Sequence, residues 1–272
     1  MAEHQEIVGL VPAGGHATRL SPLPGSKELF PVGFFRDQND VLRPKAVSHY
    51  LLDQYKAAGI RRSYIVLRKG KWDIPEYFGD GTMIGMDLSY LIMNLPHGHP
   101  FTLDQAFPFT RQNRVAFGFP DILFSPDDAF KQLVMKQEES AASVVLGIFP
   151  IRPEDHKWDF ASFDGDGRLL KVSLREPAGG LRLGWGIALW TPAFSSFMHD
   201  FLAQAVRTNN LVSAEGREYT LSHVFQAALE KGLTFDSVIF SSGSPRDIGT
   251  PEDLLAAQQE YLSSHKLPPP AV

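Results

Sequence analysis

Between Gly9 and Gly33 the chain reads GLVPAGGHATRLSPLPGSKELFPVG. A hydrophobic run leads into adjacent glycines, Gly14 and Gly15, and then into a flexible segment with Arg19 and Lys27 at its two ends. Glycines let main-chain N–H groups approach an anion closely, and an arginine with a lysine can neutralise a triphosphate. A dinucleotide fingerprint needs a third glycine opening directly into a helix; that glycine is missing here, and Pro22 and Pro24 forbid a helix start. The Walker A spacing fails as well, because no glycine lies five positions before Gly25. Two readings remain, an anion-binding loop at the carboxyl end of a strand and a turn with two solvated cations. The anion loop is favoured, since two glycines and two cations follow a buried strand with no helix to cap. The HGH segment, His97 and His99, could present two imidazoles on one side. With no third ligand evident it reads as a loop histidine pair.

Positioning such a loop requires a sheet. EIVGLV reads as a first strand, followed by a helix over PKAVSHYLLDQYKAAGI with Gly59 just before its stop. SYIVLR, MDLSYLIM, RVAFGF and AASVVLGIF read as further strands, rich in β-branched and aromatic residues. PDDAFKQLVMKQEES reads as a helix with proline and acids in its first turn. In the second half a hairpin turning at Asp164–Gly167 precedes the strand GWGIALW. Helices around Pro192–Thr208 and Tyr219–Lys231, a late strand TFDSVIF and a closing helix TPEDLLAAQQEYL complete the pattern. The expected fold class is α/β, three-layered and Rossmann-like, with a mostly parallel, mixed central sheet. One domain is expected over residues 1–262, with a nucleotide-binding half over about 1–150, a continuous substrate half over about 151–262, and a flexible tail over 263–272.

Net charge is −5 over 272 residues, which argues against a nucleic-acid partner. The most basic stretch, Arg61 to Lys71, reads as a solvated strand end. Without cysteine, disulfides and thiolate zinc sites are excluded. No signal peptide and no apolar run of membrane-spanning length is seen, so a cytoplasmic location with no membrane partner is expected.

The opening block, Gly14-Gly15-His16-Ala17-Thr18-Arg19-Leu20-Ser21-Pro22-Leu23 and then Ser26-Lys27-Glu28-Leu29-Phe30-Pro31-Val32, resembles the signature of the sugar-1-phosphate nucleotidyltransferases. DIGTPEDLLAA at 247–257 resembles its closing block, and looser matches at 58–60, 78–90 and 103–107 extend the likeness from about Ile7 to about Tyr261. Its glucose-1-phosphate thymidylyltransferase branch is the nearest.

The resemblance implies transfer of a nucleoside monophosphate from an NTP, dTTP or UTP before others, to a sugar-1-phosphate, with release of pyrophosphate. It implies Arg19 and Lys27 as the catalytic cations. It also implies a nucleotide site at Leu10, Ala13, Gly14, Gly15, Thr18 and Gln105. Arg175, Glu176 and Gly186 would face the sugar phosphate, and Asp121 and Asp247 would ligate Mg2+. A homo-oligomer is compatible with it. The chain departs from the pattern at Ala17, Thr102 and Pro120, and by placing Glu176 where a lysine should grip phosphate. Two alternatives follow from those departures: a catalytically weak nucleotide-binding or regulatory homologue, and a nucleotidyltransferase acting on a non-sugar phosphate.

Overall fold

The computed structural model describes residues 5–37, 39–93, 97–153, 158–173, 182–213, 216, 218–243 and 245–264. The first strand, β1 (Ile7–Ala13), is buried on both faces and pairs in parallel with β4 (Arg62–Arg68) and β6 (Arg114–Gly118). Between β1 and β4 lie a hairpin, β2 (Pro31–Arg36) and β3 (Leu42–Ala46), and helix α1 (Val47–Ala57). After β4 come α2 (Asp73–Phe78), β5 (Asp87–Met93), α3 (His99–Asp104) and α4 (Phe107–Thr110). A two-residue strand, β7 (Ile122–Leu123), and α5 (Ala129–Ser140) follow β6 and lead to β8 (Val144–Pro150). The second half contributes the hairpin β9 (Phe160–Phe163) and β10 (Leu169–Ser173), then β11 (Leu183–Trp190), α6 (Pro192–Arg207) and α7 (Leu221–Glu230). The strands β12 (Phe235–Ile239) and β13 (Arg246–Asp247) and helix α8 (Pro251–Ser264) close the fold.

One nine-stranded sheet unites both halves, running β10-β9-β11-β6-β1-β4-β5, with β8 beside β11 and β12 beside β8. β5, β4, β1 and β6 are mutually parallel, as expected of near-continuous apolar strands covered on both faces. β11 enters antiparallel between β6 and β8, which makes the sheet mixed. Phe101, Phe194, Leu202 and Phe225 cover one face; Leu51, Tyr55, Phe78 and Phe130 cover the other. Each such side chain contributes roughly 1.5–3 kcal/mol by leaving water. Gly9 lets α1 approach, because a Cβ there would lie 2.6 Å from the Tyr55 ring. The Tyr55 hydroxyl donates across β1 and β6, 3.3 Å from the Leu10 carbonyl and 3.0 Å from that of Ala116.

Several boundaries differ from expectation. Pro44–Ala46 belong to β3, so α1 starts at Val47, and α5 starts at Ala129, three residues past Pro126. The β2–β3 hairpin and the short helices α2, α3 and α4 carry too little periodicity to be read from sequence. The basic stretch is only partly solvated: Arg61, Arg62 and Lys69 are exposed, whereas Lys71 is 3% exposed. α8 continues to Ser264, two residues into the expected tail. No helix among the described residues is long and apolar enough to cross a membrane.

His49 on α1 is buried among Phe35, Tyr77 and Phe78, with ring centroids 5.1, 5.7 and 5.0 Å away. Its Nε2 has no hydrogen-bond partner among the described residues. Burial pulls its pKa from 6.5 to about 4, with Lys45 and Lys56 adding to the fall and Asp53 opposing it. A base with a lowered folded pKa contributes stability that is complete above 6.5 and is lost as pH drops toward 4. Urea unfolding at pH 7 and pH 5 tests this: His49→Leu should remove about 2 kcal/mol of the acid-induced loss. Equal losses in variant and wild type would contradict it.

Candidate active site

The parallel strands all end on one edge, and the loops leaving that edge carry the candidate chemistry. β1 delivers Gly14 through Lys27, β4 delivers Lys71 and Asp73, β5 delivers Met93, and β6 delivers Asp121. Gly14 meets Met93 closely: a Cβ there would lie 2.9 Å from the Met93 sulfur. Thr102 closes the same corner, its Oγ1 lying 3.2 Å from that sulfur. Gly15, Thr18 and Arg19 are exposed along the loop, while buried Leu20 pins it inward and donates its N–H to the Ala17 carbonyl at 3.0 Å. Ala17 holds φ at 52°, a left-handed conformation costing a non-glycine residue about 1–2 kcal/mol.

Lys27 sits in a short 3-10 turn, Lys27–Leu29. Its ammonium is ion-paired with the Asp121 carboxylate. Arg19 reaches Asp247, 3.7 Å from Nη2 to Oδ2. The two aspartates are adjacent because β7 and β13 pair antiparallel, with Asp247 opposite Ile122. The Ile248 N–H donates to the Asp121 carbonyl at 3.1 Å. Thr250 caps α8, its hydroxyl oxygen accepting the Asp253 N–H at 3.2 Å. Burial pulls the Lys27 ammonium down, but Asp121, Glu28 and Asp247 more than offset it and leave its pKa raised. It therefore stays charged.

Sequence reading missed the residues that support Lys27. Asp73 accepts the Ser26 N–H at 2.6 Å and the Ser26 hydroxyl at 2.7 Å. Lys71 donates to both oxygens of Glu28, at 2.6 and 2.7 Å, in a pair almost sealed from solvent. Burial raises the Glu28 carboxyl and lowers the Lys71 ammonium, each partly offset by its partner. The available signal was Lys71 and Asp73 just past the end of a parallel strand, the edge where open α/β sheets bind ligands.

Other expected site residues lie elsewhere. Leu10 is wholly within the core and Ala13 is buried at the strand end. Gln105 is exposed at the end of α3, with Nε2 3.4 Å from the Phe101 carbonyl. Gly186 is buried where β11 slips register against β8, facing Phe149 and Trp158. That bulge explains a strand glycine without a ligand. Arg175 and Glu176 lie outside the described residues. His99 packs edge-on against Phe119, 5.4 Å between centroids, and Asp121 and Lys27 are its charged neighbours. Among the described residues no group of three or more His, Asp or Glu side chains could hold a metal. Two aspartates without a cage suit a hard cation that takes its remaining oxygens from water and phosphate.

The nine-stranded mixed sheet has the fold of solved nucleotidyltransferase structures. A UDP-glucose pyrophosphorylase crystallised with UDP-glucose superposes on 96% of this chain and 100% of its own, with TM-score 0.76 at 15% identity. No protein-family model matches the chain. In sequence it is 26% identical over 267 residues to the low-salt glycan biosynthesis nucleotidyltransferase Agl11 of Haloferax volcanii, covering 95% of this chain and 67% of that protein. It is 25% identical over 266 residues to the glucose-1-phosphate thymidylyltransferase of Streptomyces antibioticus, covering 93% and 65%. The chain thus spans about two thirds of the length of both relatives. The resemblance to sugar-1-phosphate nucleotidyltransferases read from the motifs is borne out along nearly the whole chain.

Gly249 keeps the second ion pair possible, since a Cβ there would stand 2.7 Å from Arg19 Nη2 and 2.8 Å from Asp247 Oδ1. Gly249→Ala should therefore push the Arg19 guanidinium and the Asp247 carboxylate apart, seen as a longer Nη2–Oδ2 distance in a crystal structure of the variant. An unchanged distance would show that the pair does not need the glycine.

Proposed function

We propose that this protein is a magnesium-dependent nucleotidyltransferase that joins a nucleoside monophosphate, from dTTP or UTP, to a sugar-1-phosphate. The single observation carrying this reading is the convergence of Arg19, Lys27, Asp121 and Asp247 at one edge of the sheet. A phosphate oxygen of the sugar-1-phosphate attacks the α-phosphorus in line. A new P–O bond forms, the bond from the α-phosphorus to the bridging oxygen breaks, and pyrophosphate leaves with that electron pair. Little covalent work falls to the protein, so positioning and charge neutralisation dominate.

Each group has a defined task in this reading. The N–H groups of the Gly14–Gly15 loop and the Arg19 guanidinium receive the triphosphate. Lys27 transfers its ammonium from Asp121 to the phosphate oxygens, a movement its four-carbon stem allows without moving the backbone. Asp121 and Asp247, released from their cations, would hold Mg2+, whose charge neutralises phosphate oxygens when bound. The mixed second half, β9 to β11, extends the same sheet and supports an acceptor site beside the α-phosphorus.

Pyrophosphate release measured across four NTPs and a panel of sugar-1-phosphates, with Mg2+ and with EDTA, tests the proposal. Turnover should require the metal and should fall at least about a hundredfold in Asp121→Asn. Nucleotide binding without turnover in any combination would instead assign a binding or regulatory role.

A further inference from the structure

We infer that Lys71 is a positioning residue for Lys27, acting through Glu28 to keep the catalytic ammonium free to meet the triphosphate. This inference rests on the catalytic reading above. The segment after β4 grips both neighbours of Lys27: Asp73 takes the N–H and hydroxyl of Ser26, and Lys71 takes both carboxylate oxygens of Glu28. From a third side the Ser48 hydroxyl donates to the Glu28 carbonyl at 2.7 Å. The main chain of residues 26–28 is thus held from three directions, and the Lys27 side chain is what remains to move.

The charges alternate along this line. Lys71 faces Glu28, Glu28 lies beside Lys27, and Lys27 faces Asp121. Glu28 is 2% exposed and Lys71 3%, so neither charge is compensated by water. Were Lys71 removed, the Glu28 carboxylate would lose its partner, and the Lys27 ammonium, which already feels that charge, would be drawn down beneath the loop. A buried ion pair is a poor source of stability, since apolar replacements are often neutral or stabilising. Its place directly under the catalytic turn gives it a different use, which is to hold the Glu28 charge away from Lys27.

A double-mutant cycle on the full chain separates positioning from plain structural support. Wild type, Lys71→Met, Lys27→Met and the double variant are compared for kcat and KM in pyrophosphate release, for Kd of magnesium–nucleoside triphosphate, and for thermal midpoint. Lys71→Met should lower kcat about 10- to 100-fold, the scale of a small misplacement, and weaken triphosphate binding in the wild-type background. With Lys27 already replaced it should add no further loss of kcat or Kd, while the drop in midpoint stays the same in both backgrounds. Equal losses of function in both backgrounds, or full function in folded Lys71→Met, would overturn the inference. If Lys71→Met does not fold, Asp73→Asn enters the same cycle by releasing Ser26, with the same expectations. If wild type itself shows no turnover, the catalytic reading falls alone, and the Kd cycle still decides whether Lys71 acts through Lys27.

Discussion

Two opposite charges held at close range in a partly dry site organise this end of the molecule: the Lys27 ammonium and the Asp121 carboxylate. Each would be costly there without the other. The pairing is possible because β1 and β6 are neighbours in the sheet, so loops leaving their carboxyl ends meet although the residues are 94 positions apart. The second pair, Arg19 with Asp247, depends on the two-residue ladder between β7 and β13, which brings the closing segment back across the strand edge. In both pairs the cation comes from the opening loop and the carboxylate from a segment far along the chain. Under the proposed function this set would suit a polyphosphate with its metal, which would supply anions to the cations and a cation to the anions.

The scaffold explains how these residues are held in register. The main sheet continues from β5 to β10, so the strand that carries the opening loop and those of the second half share one core. Close approaches at Gly9, Gly14 and Gly249 let an aromatic ring, a thioether and an ion pair occupy space that a Cβ would fill. Thr250 caps α8, and Asp247 pairs with Arg19. Ala17 keeps a left-handed backbone where glycine would be at ease, so the loop carries local strain at its tip.

Much of this was legible in the sequence, for physical reasons that can be named. The buried strands announce themselves as short apolar runs, and Gly14, Gly15, Arg19 and Lys27 stand out because no helix follows them. Asp121 and Asp247 were found through their motifs; their adjacency depends on a ladder too short to carry any periodicity. Glu28, Lys71 and Asp73 were passed over because charged residues are ordinarily solvated, and nothing local marks Lys71 as buried. The β2–β3 hairpin was hidden by Pro31 and Pro44 and by a register shift between its strands. Gly186 shows the converse: a glycine that suggests substrate contact sits at a bulge against Phe149 and Trp158.

In the proposed function the cations of the opening loop leave Asp121 and Asp247 for a polyphosphate, and the two carboxylates would then hold Mg2+. A crystal structure with Mg2+ and a non-hydrolysable nucleoside triphosphate tests this exchange most directly. The proposal predicts Mg2+ held by Asp121 and Asp247, with the Lys27 Nζ moved from Asp121 onto phosphate oxygens. A triphosphate bound elsewhere, with Lys27–Asp121 and Arg19–Asp247 still paired, would contradict it.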